Sequence, residues 1–565
     1  MVRPAPPGVL LALGVLVACG GSASPDSDLD GDGYALPDDC DDGDPDVNPG
    51  ATEVWYDGVD QDCSGTSDHD ADGDGHAATE SGGGDCDDSD DGVHPLAEES
   101  CGNGRDDDCD TEVDENCGGN DTGGAWAGLV LSDADATFLG EAEDDYLGVS
   151  VGRADTDGDG RAELLMGAFY ADPGGDHAGA SYLWMDLLAP GPASYTVGAS
   201  HARLLGVEGD VSGTDVAGAG DLDGDGLEDV VVGAMGLGGT IYVVHAPLVG
   251  DVDLDGQAAR FHPGVDEDLG RTVAGGADLD GDGLPDVVAG APDARDQAGA
   301  VYVIAGPAST SSPLADSAAV LFGPRGSGWR VGYDVDVGGD ADGDGLADLV
   351  VGAEDGGTNG HGAAIWVPGP VVGDVRIGEV GIVLSGGEAA DRAGDAVAWV
   401  GDVDQDGLDD FVVGDPNYSD VYGKRGTAWL VTGSSLSEGE LSGATARFVS
   451  PETGGNLGTC ADGGGDIDGD GRLEILLCDD DDSAIADKGG VVYVLTGPFT
   501  GAIELSTAAG RISGEGRYDR AGSSVIGGLD LDGDGLSDPV LGTIGVARTG
   551  SYAGAVSVFL GDAGL

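Results

Sequence analysis

The residues best placed to do chemistry in this sequence are aspartates that recur at a fixed spacing. The stretch DLDGDGLEDVVVGA begins at Asp221, has acids at its positions 1, 3, 5 and 9, and has Gly226 at position 6. Four carboxylates this close together repel one another unless a counter-charge is present. The pattern D-x-D-x-D-G-x-x-D/E occurs in loops that start at Asp155, Asp221, Asp278, Asp340, Asp402, Asp466 and Asp530. The spacing therefore predicts seven cation-binding loops.

Calcium is the cation that suits such a loop, because it accepts about six to eight oxygen ligands in flexible geometry. Acids at positions 1, 3, 5 and 9 and the backbone carbonyl of position 7 can form this shell, whereas magnesium demands stricter octahedral geometry. About seven calcium ions are expected, and the alternative is a set of acidic hairpin turns without ions. By loop, the expected ligands are Asp155, Asp157, Asp159, Arg161 and Glu163; Asp221, Asp223, Asp225, Leu227 and Asp229; Asp278, Asp280, Asp282, Leu284 and Asp286; Asp340, Asp342, Asp344, Leu346 and Asp348; Asp402, Asp404, Asp406, Leu408 and Asp410; Asp466, Asp468, Asp470, Arg472 and Glu474; Asp530, Asp532, Asp534, Leu536 and Asp538.

The residue at position 12 separates these loops from EF-hands. An EF-hand has a bidentate acid there and a helix on each side. Here position 12 is apolar in every loop and lies in a short apolar run such as DVVVGA. These runs favour a β-strand after each loop.

The spacing of the loops indicates the fold. Successive loops begin 66, 57, 62, 62, 64 and 64 residues apart, and each repeat contains four short segments with strand character. Four antiparallel strands form one blade of a propeller. The seventh repeat ends with AVSVFLG and lacks its fourth strand, while an orphan strand, ATFLG, precedes the first repeat. We therefore predict an all-β, seven-bladed propeller in which this N-terminal strand pairs beside AVSVFLG and closes the last blade.

The repeats over residues 127–565 resemble the FG-GAP repeats of the integrin α head. The literal Gly-Ala-Pro occurs once, at Gly290 to Pro292, and the Phe-Gly is degenerate, as in Tyr146-Leu147-Gly148. The acidic loop, by contrast, is intact in all seven repeats. The resemblance implies a calcium-loaded propeller that binds a protein or glycan ligand at the face opposite the calcium loops. His177 and His361 recur at one repeat position, just before the third strand, where other blades have Gln297, Arg425 or Lys488. These residues are candidate recognition residues at that face; solvated loop tips are the alternative.

Residues 28–117 form two acidic, cysteine-containing units. Both resemble a metal-binding motif repeat of secreted bacterial proteins, with a D-x-D-G-D-G start and a DCDD middle, although the first unit has Trp55 and Tyr56 where a cysteine is usual. Because this segment is so polar, it cannot form a packed apolar core. If the segment is ordered, disulfides and bound ions would hold it together. The alternative is a solvated acidic spacer. The expected calcium ligands of these units are Asp28, Asp30, Asp32, Asp70, Asp72 and Asp74.

The N-terminus predicts export. Residues 1–18 contain Arg3 and an apolar run too short to span a bilayer. Leu16 to Gly20 resembles the lipobox of bacterial lipoproteins, which implies a lipid on Cys19 and anchoring to the outer membrane or cell surface. Ordinary secretion with a chance cysteine is the alternative. Residues 19–27 are expected to be a flexible tether, and residues 118–126 a glycine-rich linker.

Eight further cysteines are suited to an oxidising compartment. Cys460 and Cys478 flank one acidic loop on strands expected to pair, which predicts a disulfide between them. The pairing of the six between Cys40 and Cys117 is left open by the sequence.

The net charge of −88 excludes a nucleic-acid partner, which needs a basic surface. Gly148 to Gly152 matches G-x-S-x-G, but that motif needs a strand turning into a helix, and here it lies inside a predicted strand. We expect no enzyme activity. Adhesion or protein-ligand binding is the expected function, with a carbohydrate-binding propeller or a structural calcium-rich surface protein as alternatives.

Overall fold

The computed structural model describes residues 28–34, 39–41, 43–52, 54, 59–63, 86, 93, 109, 128–185, 192–262, 267–308, 312–313, 319–387, 391–420, 423–451, 454–506, 510–546 and 552–561. Two compact units divide the chain, Met1–Cys117 and Gly118–Leu565. Cys19, the predicted signal peptide, the tether, the linker 118–126 and the second set of N-terminal aspartates, Asp70, Asp72 and Asp74, lie outside the described residues.

The larger unit is a ring of seven five-stranded sheets, which confirms the predicted all-β, seven-bladed propeller. Each blade begins with a first strand that lines the central channel and ends with a fourth strand near the rim. In chain order, the four blade strands are Leu147–Ala154, Glu163–Ala168, Ala180–Trp184 and Ala202–Leu205 in blade one; Ser212–Gly220, Asp229–Ala234, Thr240–Val244 and Ala259–His262 in blade two; Val273–Ala277, Asp286–Ala291, Ala300–Ile304 and Ala319–Phe322 in blade three; Val331–Val337, Leu349–Ala353, Ala363–Val367 and Ile382–Ser385 in blade four; Val397–Gly401, Asp410–Asp415, Thr427–Val431 and Ala446–Val449 in blade five; Ala461–Gly465, Glu474–Asp479, Val491–Leu495 and Gly510–Ser513 in blade six; Ala521–Ile526, Val540–Thr543 and Ala555–Val558 in blade seven.

A fifth strand, not foreseen from the sequence, covers the rim edge of each blade. In every blade except blade six it comes from the connection between the third and fourth strands of the following blade, and it pairs in parallel with the fourth strand. Pairing hides backbone groups that an open edge would expose. From blade one to blade five, these strands are Gly250–Asp253, Ser312–Pro313, Gly373–Arg376, Gly439–Glu440 and Gly501–Glu504.

The N-terminal segment closes the ring. Ala136–Leu139 pairs antiparallel with Ala555–Val558 as the fourth strand of blade seven, as the sequence predicted. Leu129–Val130 adds the fifth strand of blade six, next to Gly510–Ser513. Blade seven receives its own fifth strand, Ala193–Thr196, from blade one. One short segment therefore completes two blades, and we call residues 129–139 the latch.

The remaining elements are short and lie in connections. The helical turns are Leu131–Asp133, Val197–Ala199, Gly236–Gly238, Leu254–Gln257, Ala294–Gln297, Thr358–Gly360, Ile377–Val380, Gly433–Ser435 and Leu441–Gly443, and a small hairpin joins Ser419–Asp420 to Gly423–Lys424. Among the described residues, no helix is long and apolar enough to cross a membrane.

Each interface between neighbouring blades has its own apolar cluster. Between blades seven and one, for example, Phe138, Leu147 and Val556 are all fully buried in one cluster. Close packing between blades also depends on glycine in the second strand. Between blades two and three, for example, a Cβ on Gly233 would lie 2.2 Å from the carbonyl oxygen of Gly270. Polar contacts add to this packing along the channel, where Asp334 accepts a hydrogen bond of 2.8 Å from the backbone N–H of Val397 in blade five.

The alternation of strand direction sorts the loops onto two faces. Loops between first and second strands, which carry the acidic motif, share one face with the connections between third and fourth strands. We call this the lower face. Loops between second and third strands, and between a fourth strand and the next first strand, share the opposite, upper face.

Three disulfides occur among the described residues. Cys460 and Cys478 are bonded across the first two strands of blade six, with their Cα atoms 5.1 Å apart. In the N-terminal unit Cys40 is bonded to Cys63, and Cys86 to Cys109, each with a separation of 23 residues. Cys101 and Cys117 lie outside the described residues.

Candidate metal centres

The acid at position 1 shapes each propeller loop. In blade two, Asp221 Oδ1 accepts hydrogen bonds from the backbone N–H groups of Gly224 and Asp225 at 2.7 and 3.0 Å, and its Oδ2 accepts one from Gly226 at 2.9 Å. The same cap recurs in the loops that begin at Asp278 and Asp340. Glycine at position 6 is needed because its φ is positive, as at Gly226 with 93°.

The acids at positions 3 and 5 each use one oxygen in the loop. Asp223 Oδ1 accepts the N–H of Asp225 at 3.1 Å, and Asp225 Oδ1 accepts the N–H of Leu227 at 2.9 Å. With one oxygen held by the backbone, the other is oriented for a ligand. In the blade-two loop, carboxylate oxygens of positions 1, 3 and 5 converge to within 4.8 Å of one another, as they do in the loops of blades three and four.

The acid at position 9 joins the loop to the third strand. Asp229 is fully buried, its Oδ2 accepts the N–H of Leu222 at 3.0 Å, and its Oδ1 accepts the N–H of Ala246 at 2.9 Å. Asp286, Asp348, Asp410 and Asp538 make the same two kinds of contact. These acids therefore stabilise the blade as well as the loop.

The loops of blades one and six have glutamate at position 9. Glu163 brings a fourth carboxylate within 4.8 Å of those of Asp155, Asp157 and Asp159. In blade six, Glu474 Oε1 and Asp466 Oδ1 are buried and have no hydrogen-bond partner within the described part of the chain. Buried carboxylate oxygens without a partner are costly. They fit a divalent cation, which would supply the missing partner for both.

Burial dominates the electrostatics of position 9. It is the largest cause that raises the pKa of Glu163 to about 7, and the charges of Asp157 and Asp155 add to it. Burial likewise raises the pKa of Glu474 and Asp538 to about 7. Without a counter-charge the loops therefore favour protonation of this acid near neutral pH, and a bound cation would reverse that preference.

One lower-face histidine was not foreseen from the sequence. His245 follows the third strand of blade two, and its Nδ1 lies 2.8 Å from Asp229 Oδ2 and 3.9 Å from Asp223 Oδ2. It comes to the loop through blade packing, and no local motif marks it. Ser150, in the G-x-S-x-G match, lies within the first strand of blade one and donates to Asp215 Oδ1 at 2.7 Å.

An aromatic cluster lies on the upper face where blades seven and one meet. Tyr146 stacks on Tyr552 with ring centroids 5.5 Å apart, and Tyr170 stacks on His177 at 4.5 Å. Phe169 links the two pairs, at 5.3 Å from Tyr146 and 4.2 Å from Tyr170. We call these five residues the aromatic patch. Tyr552 is 40% exposed, in a chain with only 5% aromatic residues.

The surroundings of the aromatic patch are acidic on the side of blades one and two, whereas on the side of blade seven the charge of Arg520 acts on Tyr146. The upper loops of blades one and two, residues 141–146, 169–177, 206–211 and 235–239, contain eight acids and no lysine or arginine. Lysine and arginine occur on the upper face in other blades, where Arg330 and Arg392 both contact the buried Glu354. The upper face is therefore uneven, with an apolar and acidic sector at blades one and two.

The structure corrects the alignment of the candidate recognition residues. Parallel bridges from Gly179 to Ser212 and from Gly362 to Ala393 make these two glycines equivalent. His177 lies two residues before Gly179, whereas His361 lies one residue before Gly362. The two histidines therefore occupy adjacent positions of the repeat, not the same position. His177, Gln297 and Lys488 share one position with Tyr552, while His361 and Arg425 share the next.

Comparisons with known proteins agree with this geometry. Residues 269–304 match the family model of the FG-GAP repeat, and residues 39–69 and 85–121 match the family model described as "Putative metal-binding motif". The fold and the loops thus define an integrin-α-like FG-GAP β-propeller, preceded by a segment with a metal-binding motif and disulfides.

Integrin α subunits are among the relatives. Integrin alpha pat-2 of Caenorhabditis briggsae is 33% identical over 178 residues, and integrin alpha-7 of Rattus norvegicus is 29% identical over 158. These matches cover 29% and 28% of this chain and 14% of each relative, so the chain spans a small part of their length. The crystal structure of BBS1N in complex with ARL6DN, soaked with lead, aligns over 74% of this chain and 96% of that one with 12% identity and a TM-score of 0.38.

Proposed function

We propose that the protein is a calcium-binding, lipid-anchored, extracytoplasmic module without enzyme activity that binds a protein ligand at its upper face. The aromatic patch is the observation that carries the ligand-binding part. Partly exposed aromatic side chains that cluster on one face of a protein are typical anchors of binding interfaces. The relatedness to integrin α subunits supports an adhesion role.

Calcium is the ion proposed for the lower face. The converging carboxylates of the loops, and the buried, unpartnered oxygens of Asp466 and Glu474, support an all-oxygen site for a hard cation. The proposed sites comprise the seven propeller loops and the aspartates of the N-terminal unit. With its ions in place, the lower face would be structural and the upper face free for the ligand.

A pair of tyrosine variants tests the ligand-binding face. The protein would be cross-linked to its ligand in the native cell envelope in the presence of calcium, and the amount of captured ligand measured. For the Tyr146→Ala/Tyr552→Ala double variant we expect this amount to fall about tenfold or more, because each ring anchors the interface. The control is Val249→Ala/Val372→Ala, since these two valines are 74% and 58% exposed on the lower face. Equal capture by both variants and the parent protein would exclude the aromatic patch as the binding site.

The same variants separate protein binding from carbohydrate binding. Stacked tyrosines beside carboxylates can also hold sugar rings, so the parent protein and both variants would be applied to a glycan array. Strong, multivalent glycan binding that the tyrosine variant loses would replace adhesion to a protein with lectin activity. A silent array together with loss of capture supports the protein ligand.

Lipid anchoring is tested at Cys19. If the cysteine carries the lipid, Cys19→Ser is expected to move the protein from the membrane pellet to the soluble fraction after cell lysis, because the proposed anchor is the lipid on this cysteine. The measurement is fractionation followed by intact mass. A pelleted Cys19→Ser protein, or a parent mass without acyl chains, would contradict the anchor.

A further inference from the structure

One interface between neighbouring blades differs from the other six. In the other blades, the second strand has glycine at a position where a Cβ would lie 2.0–2.4 Å from a carbonyl oxygen of the next blade. These glycines are Gly167, Gly233, Gly290, Gly352, Gly414 and Gly542. Blade six has Cys478 at this position of its second strand. The interface between blades six and seven therefore accommodates a side chain where the others accept none.

The Cys460–Cys478 disulfide lies at this interface. Cys478 is fully buried, and Cys460 Sγ lies 3.4 Å from the carbonyl oxygen of Gly522 in blade seven. A Cβ on Gly522 would lie 3.1 Å from Cys478 Cβ, so the backbone of blade seven also packs closely against this cysteine. The two sulfur atoms thus fit beside blade seven while a covalent bond holds them together.

Cys460 also takes the place of a residue that forms hydrogen bonds between first strands. At the equivalent position, Ser150 donates a hydrogen bond of 2.7 Å from blade one to Asp215 in blade two. A disulfide sulfur has no hydrogen to donate. Between blades six and seven, Asp462 accepts a hydrogen bond of 2.7 Å from the N–H of Gly527, but two residues further along the strand. At the level of Cys460, the disulfide therefore determines how blade six meets blade seven.

The latch lies at the same interface. Cys478 belongs to a buried apolar cluster that includes Ala134 of the latch and Val525 of blade seven. The latch pairs with blade six through Leu129–Val130 and with blade seven through Ala136–Leu139. A change in the spacing of these two blades therefore acts directly on the latch.

Reduction of the disulfide changes the space that the two side chains need. Bonded sulfur atoms are about 2.05 Å apart, whereas the sulfur atoms of two thiols stay at van der Waals distance. Cys478 is enclosed, and Gly522 already borders the pair on one side, so the separated sulfur atoms press on blade seven. Packed interiors accept extra volume only with shifts of side chains and backbone. Reduction should therefore widen this interface.

Cys460 can be reached from the central channel. Its side chain is half-buried and lines the channel, whereas Cys478 is fully buried. The thiolate of a dithiol reductant would attack Cys460 Sγ and form a mixed disulfide, while the sulfur of Cys478 leaves with the bonding electron pair and takes up a proton. The second thiol of the reductant then attacks the reductant sulfur of the mixed disulfide and releases Cys460 as a thiol. The protein gains two electrons and two protons, and the reductant becomes a disulfide.

We propose that the Cys460–Cys478 disulfide is a redox-sensitive closure of the propeller. In the oxidised state it holds blade six against blade seven, and its reduction by a dithiol opens that interface together with the latch. This device does not depend on the metal loops or on the ligand-binding face.

Hydrogen-exchange mass spectrometry of the full-length protein in calcium tests the proposal, with dithiothreitol as the reductant. In the parent protein, reduction is expected to raise exchange in Ala521–Ile526 and in the latch by about tenfold or more, because both border the widened interface. Exchange in blades three and four should stay unchanged, and reoxidation should restore the original pattern. Peptide mapping after alkylation shows which disulfides were reduced.

Two variants serve as controls, because they remove the disulfide and are expected to leave the interface closed. Cys460→Ser/Cys478→Gly has the pair of residues that blades one and seven have at these positions, and Cys460→Ala/Cys478→Gly has the pair of blade five. Both variants retain the disulfides of the N-terminal unit, so they control for reduction elsewhere in the chain.

A reversible increase of exchange in the parent protein, with low exchange in the variants both with and without dithiothreitol, supports the proposal. Unchanged exchange in a parent protein whose Cys460 and Cys478 are shown to be reduced would overturn it, whether or not the variants fold. A disulfide that dithiothreitol leaves intact in the folded protein would also overturn it, as would an equal response of the variants to the reductant.

Discussion

Removal of divalent cations is expected to lower the melting temperature of the propeller by on the order of 10 °C or more. An ion that binds only the native state contributes about 2.7 kcal/mol when its free concentration is 100 times its dissociation constant. Several such loops act on one cooperative ring, because the aspartates at position 9 in five blades also bond the connection after the third strand. The contributions therefore add.

Calorimetry in excess calcium and in EGTA, after prior stripping of metal, measures this effect. Single-loop variants show how much one loop contributes to the melting temperature. Asp342→Asn removes a position-3 ligand in blade four and should lower the melting temperature in calcium by about the contribution of one site. Asp355→Asn alters an exposed acid on the upper face of the same blade and should change the melting temperature little. An unchanged melting curve in EGTA would show that the loops are acidic turns without ions. Recovery by magnesium as complete as by calcium would point to a less selective site.

Loss of the latch is expected to have the next largest effect. Phe138 is fully buried, with its ring 4.9 Å from that of Trp184 and 5.2 Å from that of Tyr195. Phe138→Ala should reduce the free energy of unfolding by about 3–5 kcal/mol through the cavity that it leaves. It should also loosen the pairing of the latch with Ala555–Val558 and with Gly510–Ser513, because both depend on one segment.

A matched variant separates ring closure from simple cavity formation. Phe448 is also fully buried and also lies in a fourth strand, but in blade five, whose strands follow one another in the chain. Phe448→Ala should cost a similar free energy and raise hydrogen exchange in blade five. Phe138→Ala should raise exchange in blades six and seven together. Equal and local exchange in the two variants would mean that the latch does not hold the ring closed.

The acidic loops and the strands that follow them could be predicted from the sequence, because short-range requirements of the backbone determine them. Aspartates at alternate positions and a glycine with positive φ define each loop, and an apolar run of strand length follows it. Even the closing strand could be foreseen, since ATFLG has the pattern of a fourth strand and the seventh repeat lacks one.

Contacts between blades were decided only by the tertiary structure. The fifth strands are too short and too polar to be recognised, and their pairing depends on the neighbouring blade that they cover. Tyr146 and Tyr552 are far apart in the chain and stack only because the ring closes and places blade seven beside blade one. The sequence by itself therefore determined the acidic loops, the strands and the number of blades, through local backbone preferences repeated along the chain. The closed packing of the blades decided which side chains share a surface, because that packing joins residues that no local pattern connects.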